Sequence, residues 1–548
     1  MIASVKITEK SFGATQLYKN LNFSIQKGEK LAIIGRNGVG KSTLFNIMDG
    51  KDGDFVGDLI YKKGIKIATT RQEHHDVDDL TAVAYILQEL PEYSRLKHII
   101  ETYPAHMGDN EAKITKFTEA LERFGELGFY HVEDEVRTTL ADYQIGDKAD
   151  MPLKTLSGGQ RRFVELVKLT HARADLLLID EPTNHMDYIA KERFIKWFKN
   201  APQAVVVISH DRDILQTVDQ IIELTDGLSL KFVGNYDAYL RQNATTTVSQ
   251  LNDYETALRT IENLNKQIQS VRAKKASTSK TPNPFIPLER RLVKERDELK
   301  VNLQKPNFWV DQESLAGMQD KVSERYHKYK AKNISLNTKS ILASKANYLV
   351  SALDLSLGYS EPLFTDVNFT ISPGDRLEIR GRNGAGKSTI INAIMEFAAG
   401  NIPETLKAGE IKVDKKCKIG RYEQEISGKL LDLNLVQAIE QIYRDFGLSI
   451  TDQEIMRLMS NYLFDPQLDK EKEVSKLSGG QKARLQLIRL FANNPDLLIL
   501  DEPTNHLDLP SIEELENALL KFGGAILYVS HDSYFTKKLA GQVVKIGR

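Results

Sequence analysis

The sequence predicts an α/β fold built twice in tandem, the two copies joined by a long α-helical hairpin. Three observations carry that prediction. Leu156-Ser-Gly-Gly-Gln160 returns unchanged as Leu477-Ser-Gly-Gly-Gln481. Its neighbours return with it: Ser157 to Asp180 spans the same distance as Ser478 to Asp501, and Glu181 to His210 the same as Glu502 to His531. Upstream, GRNGVGKST (Gly35–Thr43) answers GRNGAGKST (Gly381–Thr389). Four motifs in one order, twice, describe a duplicated domain. Residues 1–241 form the first copy and 346–548 the second. The hairpin takes 242–345, with an extended tip at about 273–312.

Length supports this division, since 548 residues exceed what one core organises. With 41% hydrophobic and 27% charged residues the composition is that of an ordinary globular chain. The longest apolar runs, such as Ala204–Ile208, are far below the ~20 residues a membrane span needs. The stretch MIASVKITEKSF lacks the basic-then-apolar pattern of a signal peptide. One cysteine, Cys417, excludes an intrachain disulfide framework and is expected to be a small buried hydrophobe. A cytoplasmic protein is the expectation. The net charge of −1 hides an asymmetry: residues 241–340 hold about 19 Lys plus Arg against about 11 Asp plus Glu. A basic middle between acidic ends points towards a polyanionic partner.

Taken in order, Val5–Thr8 and Phe23–Ile25 alternate like strands, and Lys30–Ile34 is a short apolar run ending in the first glycine-rich loop. Strand, GxxxxGK[ST], helix is the context of a phosphate-binding loop. Gly35, Gly38 and Gly40, with Asn37 and Thr43 in the same loop, let backbone N–H groups converge on phosphate oxygens. Lys41 is expected to reach the β- and γ-phosphates and Ser42 to hold magnesium. Gly381, Asn383, Gly384, Gly386, Lys387, Ser388 and Thr389 repeat the arrangement. The runs Ala174–Asp180 and Asn494–Asp501 read as buried parallel strands ending in a carboxylate. Asp180 and Asp501 fit magnesium coordination, and Glu181 and Glu502 are placed to polarise an attacking water. His210 and His531 each close a second apolar strand and are expected to contact the γ-phosphate. Gln72 and Gln424 follow short strands, where a side chain senses magnesium and water. Phe12 and Tyr359 precede each phosphate loop and suit adenine stacking, with core packing as the competing role.

These motifs together resemble the ATP-binding cassette (ABC) superfamily. The fused tandem without membrane domains, and the sequences EPTNHMD and EPTNHLD, resemble the ABC-F family of translation factors. The resemblance covers both cassettes, about four fifths of the chain. It implies two ABC-type domains in a monomer that close face to face over two ATP molecules with Mg2+. One site would pair Lys41, Ser42, Asp180, Glu181 and His210 with Ser478, Gly479, Gly480 and Gln481. The other would pair Lys387, Ser388, Asp501, Glu502 and His531 with Ser157, Gly158, Gly159 and Gln160. Both sites are expected to be competent, because no motif residue is degenerate. Met186 replaces the family's usual leucine, a change read as neutral.

The first copy is about thirty residues longer between Gln72 and Ser157 than the second between Gln424 and Ser478. Ile86, Leu87 and Leu90 recur at helical spacing there. The resemblance implies an arm subdomain at about 80–143, and a larger helical subdomain with no partner of its own is the alternative. In the linker, Leu251, Tyr254, Leu258, Ile261, Leu264 and Ile268 mark an amphipathic helix, and Leu315, Met318, Val322 and Tyr329 a second. The stretches Lys274–Lys280 and Thr281–Pro287 are expected to break helix, with Leu288, Leu292, Leu299 and Leu303 forming a shorter one afterwards. The resemblance implies that this hairpin enters the ribosomal exit site and acts on transfer RNA in the peptidyl site, against large-subunit ribosomal RNA. Arg272, Lys274, Lys275, Lys280, Arg290 and Arg291 would meet phosphates. Phe285, Phe308 and Trp309 would stack on bases or fill a pocket, although charges on long helices are often solvated and aromatics often staple hairpins. The long tip resembles members that protect ribosomes from antibiotics, a general translation factor on stalled or initiating ribosomes being the alternative. A transporter's energy subunit has no use for the basic hairpin, and a DNA-repair ATPase would show zinc cysteines or longer coiled coils.

Overall fold

The computed structural model describes the whole chain except residues 13–14, 71–76, 107, 109, 185, 226–227, 278–282, 304–347, 423–425, 478, 506 and 548. It divides into one unit holding both cassettes (Met1–Lys231 and Ser335–Arg548) and a second, Phe232–Ile334.

Each cassette is a parallel sheet carrying an antiparallel one. In the first, the parallel order is Ile67–Thr69, Leu176–Asp180, Ala204–Ile208, Lys30–Gly35, Gln220–Thr225, with Leu228–Val233 at the edge. In the second it is Ile419–Tyr422, Leu497–Asp501, Ala525–Val529, Arg376–Arg380, Gln542–Lys545. The central strands are apolar on both faces because helices cover both. Leu31 and Ile33 pack with Leu176, Leu178, Val206 and the helix residues Leu44 and Ile47. Each such fully buried side chain stabilises by about 1.5–3 kcal/mol. Val5–Thr8 proves to be the middle of a longer strand, Ala3–Phe12, paired antiparallel with Thr15–Ile25 and Val56–Tyr61. Pro362–Ile371, Val350–Gly358 and Leu406–Val413 repeat that sheet. Cys417 is only half-buried against the second core, and burial still pushes its thiol up to about 12.

The longer segment of the first copy, between Gln72 and Ser157, holds the α-helices Ala82–Gln88, Tyr93–Thr102, Glu111–Glu126 and Phe129–Asp142, where the second copy has Leu435–Asp445 and Asp452–Asn461. Thr81 and Asn110 cap two of them through their side-chain oxygens. The subdomain is anchored by a buried polar triad. Tyr85 donates to Glu165 (2.5 Å), and Lys168 bonds Glu165 (2.7 Å) and the Tyr85 oxygen (3.1 Å).

The second unit is a helical hairpin. Its first helix runs 41 residues, Tyr236–Ala276, starting six residues before the expected boundary because Asn235 caps it there, and Lys274 and Lys275, expected to break helix, form part of its last turn, where cations suit the helix C-terminus. The second helix, Phe285–Asn302, begins inside the segment expected to break helix. Pro287 sits in its first turn, where the missing N–H has no intrahelical partner to lose. Asn283 instead caps Phe285 N and donates to the Lys275 carbonyl (both 3.0 Å). Leu315, Met318, Val322 and Tyr329 lie outside the described residues.

Candidate functional site

Each phosphate loop depends on glycine in left-handed backbone: φ is 88° at Gly38, 102° at Gly40, 80° at Gly384 and 99° at Gly386. A Cβ on Gly40 would stand 2.7 Å from the Tyr18 oxygen, and one on Gly386 2.9 Å from the Phe364 ring. The loop is thereby pressed onto the antiparallel sheet, with the Tyr18 O–H donating to the Gly40 carbonyl. Helices Lys41–Met48 and Lys387–Ala398 follow, their first N–H groups facing the loop. Lys41 Nζ donates to Gly35 O (2.7 Å) and Arg36 O (3.2 Å), and Lys387 Nζ to Gly381 O (2.9 Å) and Arg382 O (3.1 Å). Burial pulls both lysines below their ordinary range.

The carboxylates come from the strand ends. Ser42 Oγ lies 3.3 Å from Asp180 Oδ2 and Ser388 Oγ 2.9 Å from Asp501 Oδ2, so each cassette pairs a hydroxyl with a carboxylate. Glu181 and Glu502 both take positive φ, 45° and 48°. A strained conformation repeated at the same place in both copies is held by a shared contact. Each glutamate N–H donates to the neighbouring strand, Glu181 to Ile208 O (2.8 Å) and Glu502 to Val529 O (2.9 Å). That turn faces each carboxyl to a histidine: His210 Nε2 is 3.7 Å from Glu181 and His531 Nε2 3.3 Å from Glu502. Burial pushes Glu181 up to about 8, against the pull of Lys41, and Glu502 up to about 7. Burial, reinforced by Lys41 and Lys387, pushes His210 and His531 down to about 3. The site thus presents neutral imidazoles beside carboxyls whose proton affinity suits accepting a proton near neutrality.

A cleft of about 690 Å³ brings these parts together from both cassettes. Asn37, Gly38, Glu181 and His210 line it from the first, and Tyr359, Asn383, Lys387, Glu502 and His531 from the second. Tyr359 is exposed there, as a ring available for stacking must be. Two cross-cassette contacts to the phosphate loops have no counterpart among the expected site residues. Asp187 accepts from Asn383 N (3.1 Å) and Asp508 from Asn37 N (3.3 Å), while each also caps its own helix, Tyr188–Asn200 or Leu509–Lys521. Their signal was present in the last letter of EPTNHMD and EPTNHLD. Arg212 reaches across to Glu516 and to Asp532 (3.0 Å). Ser157 and Gln160 form a reciprocal capping box on their own helix, Gly158–His171, and do not line the cleft. Gln72, Gln424 and Ser478, with the side chain of Phe12, lie outside the described residues.

In the hairpin unit, Lys274, Arg290 and Arg291 are exposed and Phe285 is partly covered. Arg272 and Lys275 share the Glu289 carboxylate, each at 2.7 Å, so part of the expected positive charge is neutralised internally. Lys280, Phe308 and Trp309 lie outside the described residues.

The sequence model of the family described as ABC transporter matches residues 18–184 and 364–505, and a further model with the same description matches 222–283. The Bacillus subtilis protein YdiF is 31% identical over all of this chain and 80% of its own length. ABC transporter F family member 2 of Arabidopsis thaliana is 27% identical, over 98% of this chain and 75% of its own. The chain belongs to the ABC-F family. Another member, the ribosome protection protein VmlR of Bacillus subtilis, is 28% identical over 95% of this chain and 82% of its own. Among solved structures, the RNase-L inhibitor superposes with a TM-score of 0.57 at 17% identity, over 98% of this chain and 87% of that one, a likeness of fold. This ABC-F protein is therefore an ABC-type ATPase whose two cassettes bind ATP. No helix among the described residues is long and apolar enough to cross a membrane.

Proposed function

We propose that this ABC-F protein binds the ribosomal exit site in its ATP-bound state, acts there on peptidyl-site transfer RNA and the peptidyl-transferase centre, and confers antibiotic resistance by ribosome protection. The observation that carries this reading is the union of two sets of ATPase motifs and a hairpin with exposed Lys274, Arg290 and Arg291. The sequence holding both resembles, along 95% of its length, a protein named for ribosome protection. Exposed cations on a rigid helical element suit RNA phosphates.

In each ATP site Ser42 with Asp180, or Ser388 with Asp501, supplies hard oxygen donors that fit Mg2+, with Gln72 and Gln424 completing the set. When bound, Mg2+ neutralises charge on the phosphates. Lys41 and Lys387 hold the phosphates, Glu181 and Glu502 accept the proton of the attacking water, and His210 and His531, neutral, donate to the γ-phosphate. Phe12 and Tyr359 stack on adenine. The signature residues Ser157–Gln160 and Ser478–Gln481 close on the nucleotide of the opposite cassette, so that ATP holds the halves together and hydrolysis releases them.

The test is the double variant Glu181→Gln, Glu502→Gln, which binds ATP without hydrolysing it. Sedimented with ribosomes and ATP, it should remain bound, and cryo-electron microscopy should find the 273–312 tip beside the peptidyl-transferase centre. A tip that stops short of the drug-binding region would assign the protein to general translation. A trapped protein that stays off ribosomes would end the translational reading.

A further inference from the structure

The two ATP sites have matching motifs and share the reciprocal Asp187 and Asp508 contacts, but the side chains that reach the segment after the second apolar strand do so unequally. Lys191 is buried on the helix Tyr188–Asn200, where Asp211 (2.9 Å) and Asp213 (2.6 Å) of its own cassette hold its ammonium. From there it donates to the carbonyl oxygen of His531 in the other cassette, 3.1 Å away. The N–H of that same residue donates to Glu502 Oε2 at 3.1 Å. One step along the chain, Asp532 receives Arg212 at 3.0 Å. Two cations of the first cassette thus fix two successive residues beside the second site, and Ser533 ties the segment further through Asp213 (2.6 Å).

The equal spacing of the repeats places Ile512 where Lys191 would have its counterpart, and Ser533 where Arg212 would. Ile512 lines the same cleft as Lys191, but an aliphatic side chain donates nothing to the His210 carbonyl.

We propose that Lys191 is a positioning residue for hydrolysis in the second cassette alone: by holding the His531 peptide it sets both the switch histidine and the Glu502 carboxylate. The two sites then turn over unequally although their motifs are intact. The proposal rests on the assignment of Glu181 and Glu502 as the two bases, and the experiment separates the two ideas. Lys191→Met and Lys191→Arg are each combined with Glu181→Gln, which leaves only the second site, and with Glu502→Gln, which leaves only the first. Steady-state ATP hydrolysis is measured in all combinations. Beside Glu181→Gln, Lys191→Met should lower kcat at least tenfold with KM within twofold, and Lys191→Arg should restore most of it. Beside Glu502→Gln, Lys191→Met should change kcat less than twofold. Equal losses in both backgrounds would mean a general interface role and overturn the proposal, as would no loss beside Glu181→Gln. If both single glutamate variants are as inactive as the double one, the reading of two independent bases fails. Lys191 is then judged in the otherwise unaltered chain, where a kcat loss at constant KM, restored by arginine, sustains its role and any other result rejects it. Lys191→Gln replaces the methionine variant, with the same comparison, if the latter does not fold.

Discussion

Asp508 accepts a hydrogen bond from the backbone N–H of Asn37, 3.3 Å away in the opposite cassette, and Asp187 does the same for Asn383 at 3.1 Å. Each carboxylate also caps the helix it begins, so it joins a rigid element of one cassette to the phosphate loop of the other. Asp508→Ala should cost about 1 kcal/mol through the lost cap and lower ATP hydrolysis about tenfold. Asp508→Asn should keep the stability, since asparagine caps equally well, but not the full rate. Thermal melting beside a hydrolysis assay checks both.

Glu181→Gln with Glu502→Gln should reduce hydrolysis by about 10²–10⁴-fold while leaving nucleotide binding within a few-fold. The variant also carries a stability signature. In the folded chain both carboxyls hold their protons up to about 7 and about 8, whereas unfolded glutamate releases its proton near 4.5. The native state binds more protons across that window, so it loses stability as pH rises from about 4.5 to 8. Glutamine removes this loss. The double variant should melt above the unaltered protein at pH 8, and the two melting curves should converge towards pH 5.

The same groups set the pH profile of activity. A base must be unprotonated, so hydrolysis should fall with pH below about 8 and approach tenfold per unit below about 7. The histidines, held near 3, should add no inflection between pH 5 and 9. An acid limb with a midpoint near 4.5 would contradict the burial of both carboxyls.

Tyr18 and Phe364 press on equivalent glycines, one with a hydroxyl and one without. Tyr18→Phe should therefore be tolerated, costing about 1 kcal/mol for the lost bond to the Gly40 carbonyl. Gly40→Ala should abolish ATP binding at the first site, because the added carbon meets Tyr18 in a backbone conformation alanine resists. Fluorescent-nucleotide titration reads both.

On the helix Gly158–His171, Lys168→Met should cost about 3–5 kcal/mol, since it strands the Glu165 carboxylate in a fully buried position. Lys168→Met with Glu165→Gln should recover part of that loss, as urea denaturation would show.

What could be read in the letters follows from how far each signal reaches. Lys41, Ser42, Asp180, Glu181 and His210 were legible because phosphate loops and strand-end carboxylates are local patterns, and the second copy repeats the phosphate loop itself and the spacings from Ser157 to His210. The helix Ala82–Gln88 was legible as periodicity in Ile86 and Leu87. Asp187, Lys191 and Glu516 were not assigned roles, because their partners lie across an interface created only when the copies meet. Pro287 misled because proline opposes helix in general but not within the first turn. Arg272 and Lys275 counted as free charge until the hairpin turned back and placed Glu289 between them.

That last pairing bears on the entropy of docking. Arg272 and Lys275 close on Glu289, while Asn283 stitches the turn through Lys275 O and Phe285 N. These contacts tie the end of one helix to the start of the next before any outside surface arrives. A loose loop would have to surrender about 1–2 kcal/mol of backbone freedom per residue on binding. Here the two helix ends are already held to each other by contacts made during folding, and preorganised ends spend their contacts on affinity instead. Glu289→Ala would unmask two cations and at the same time untie the two helix ends, so a gain in attraction for a polyanion would be set against a loss of preorganisation.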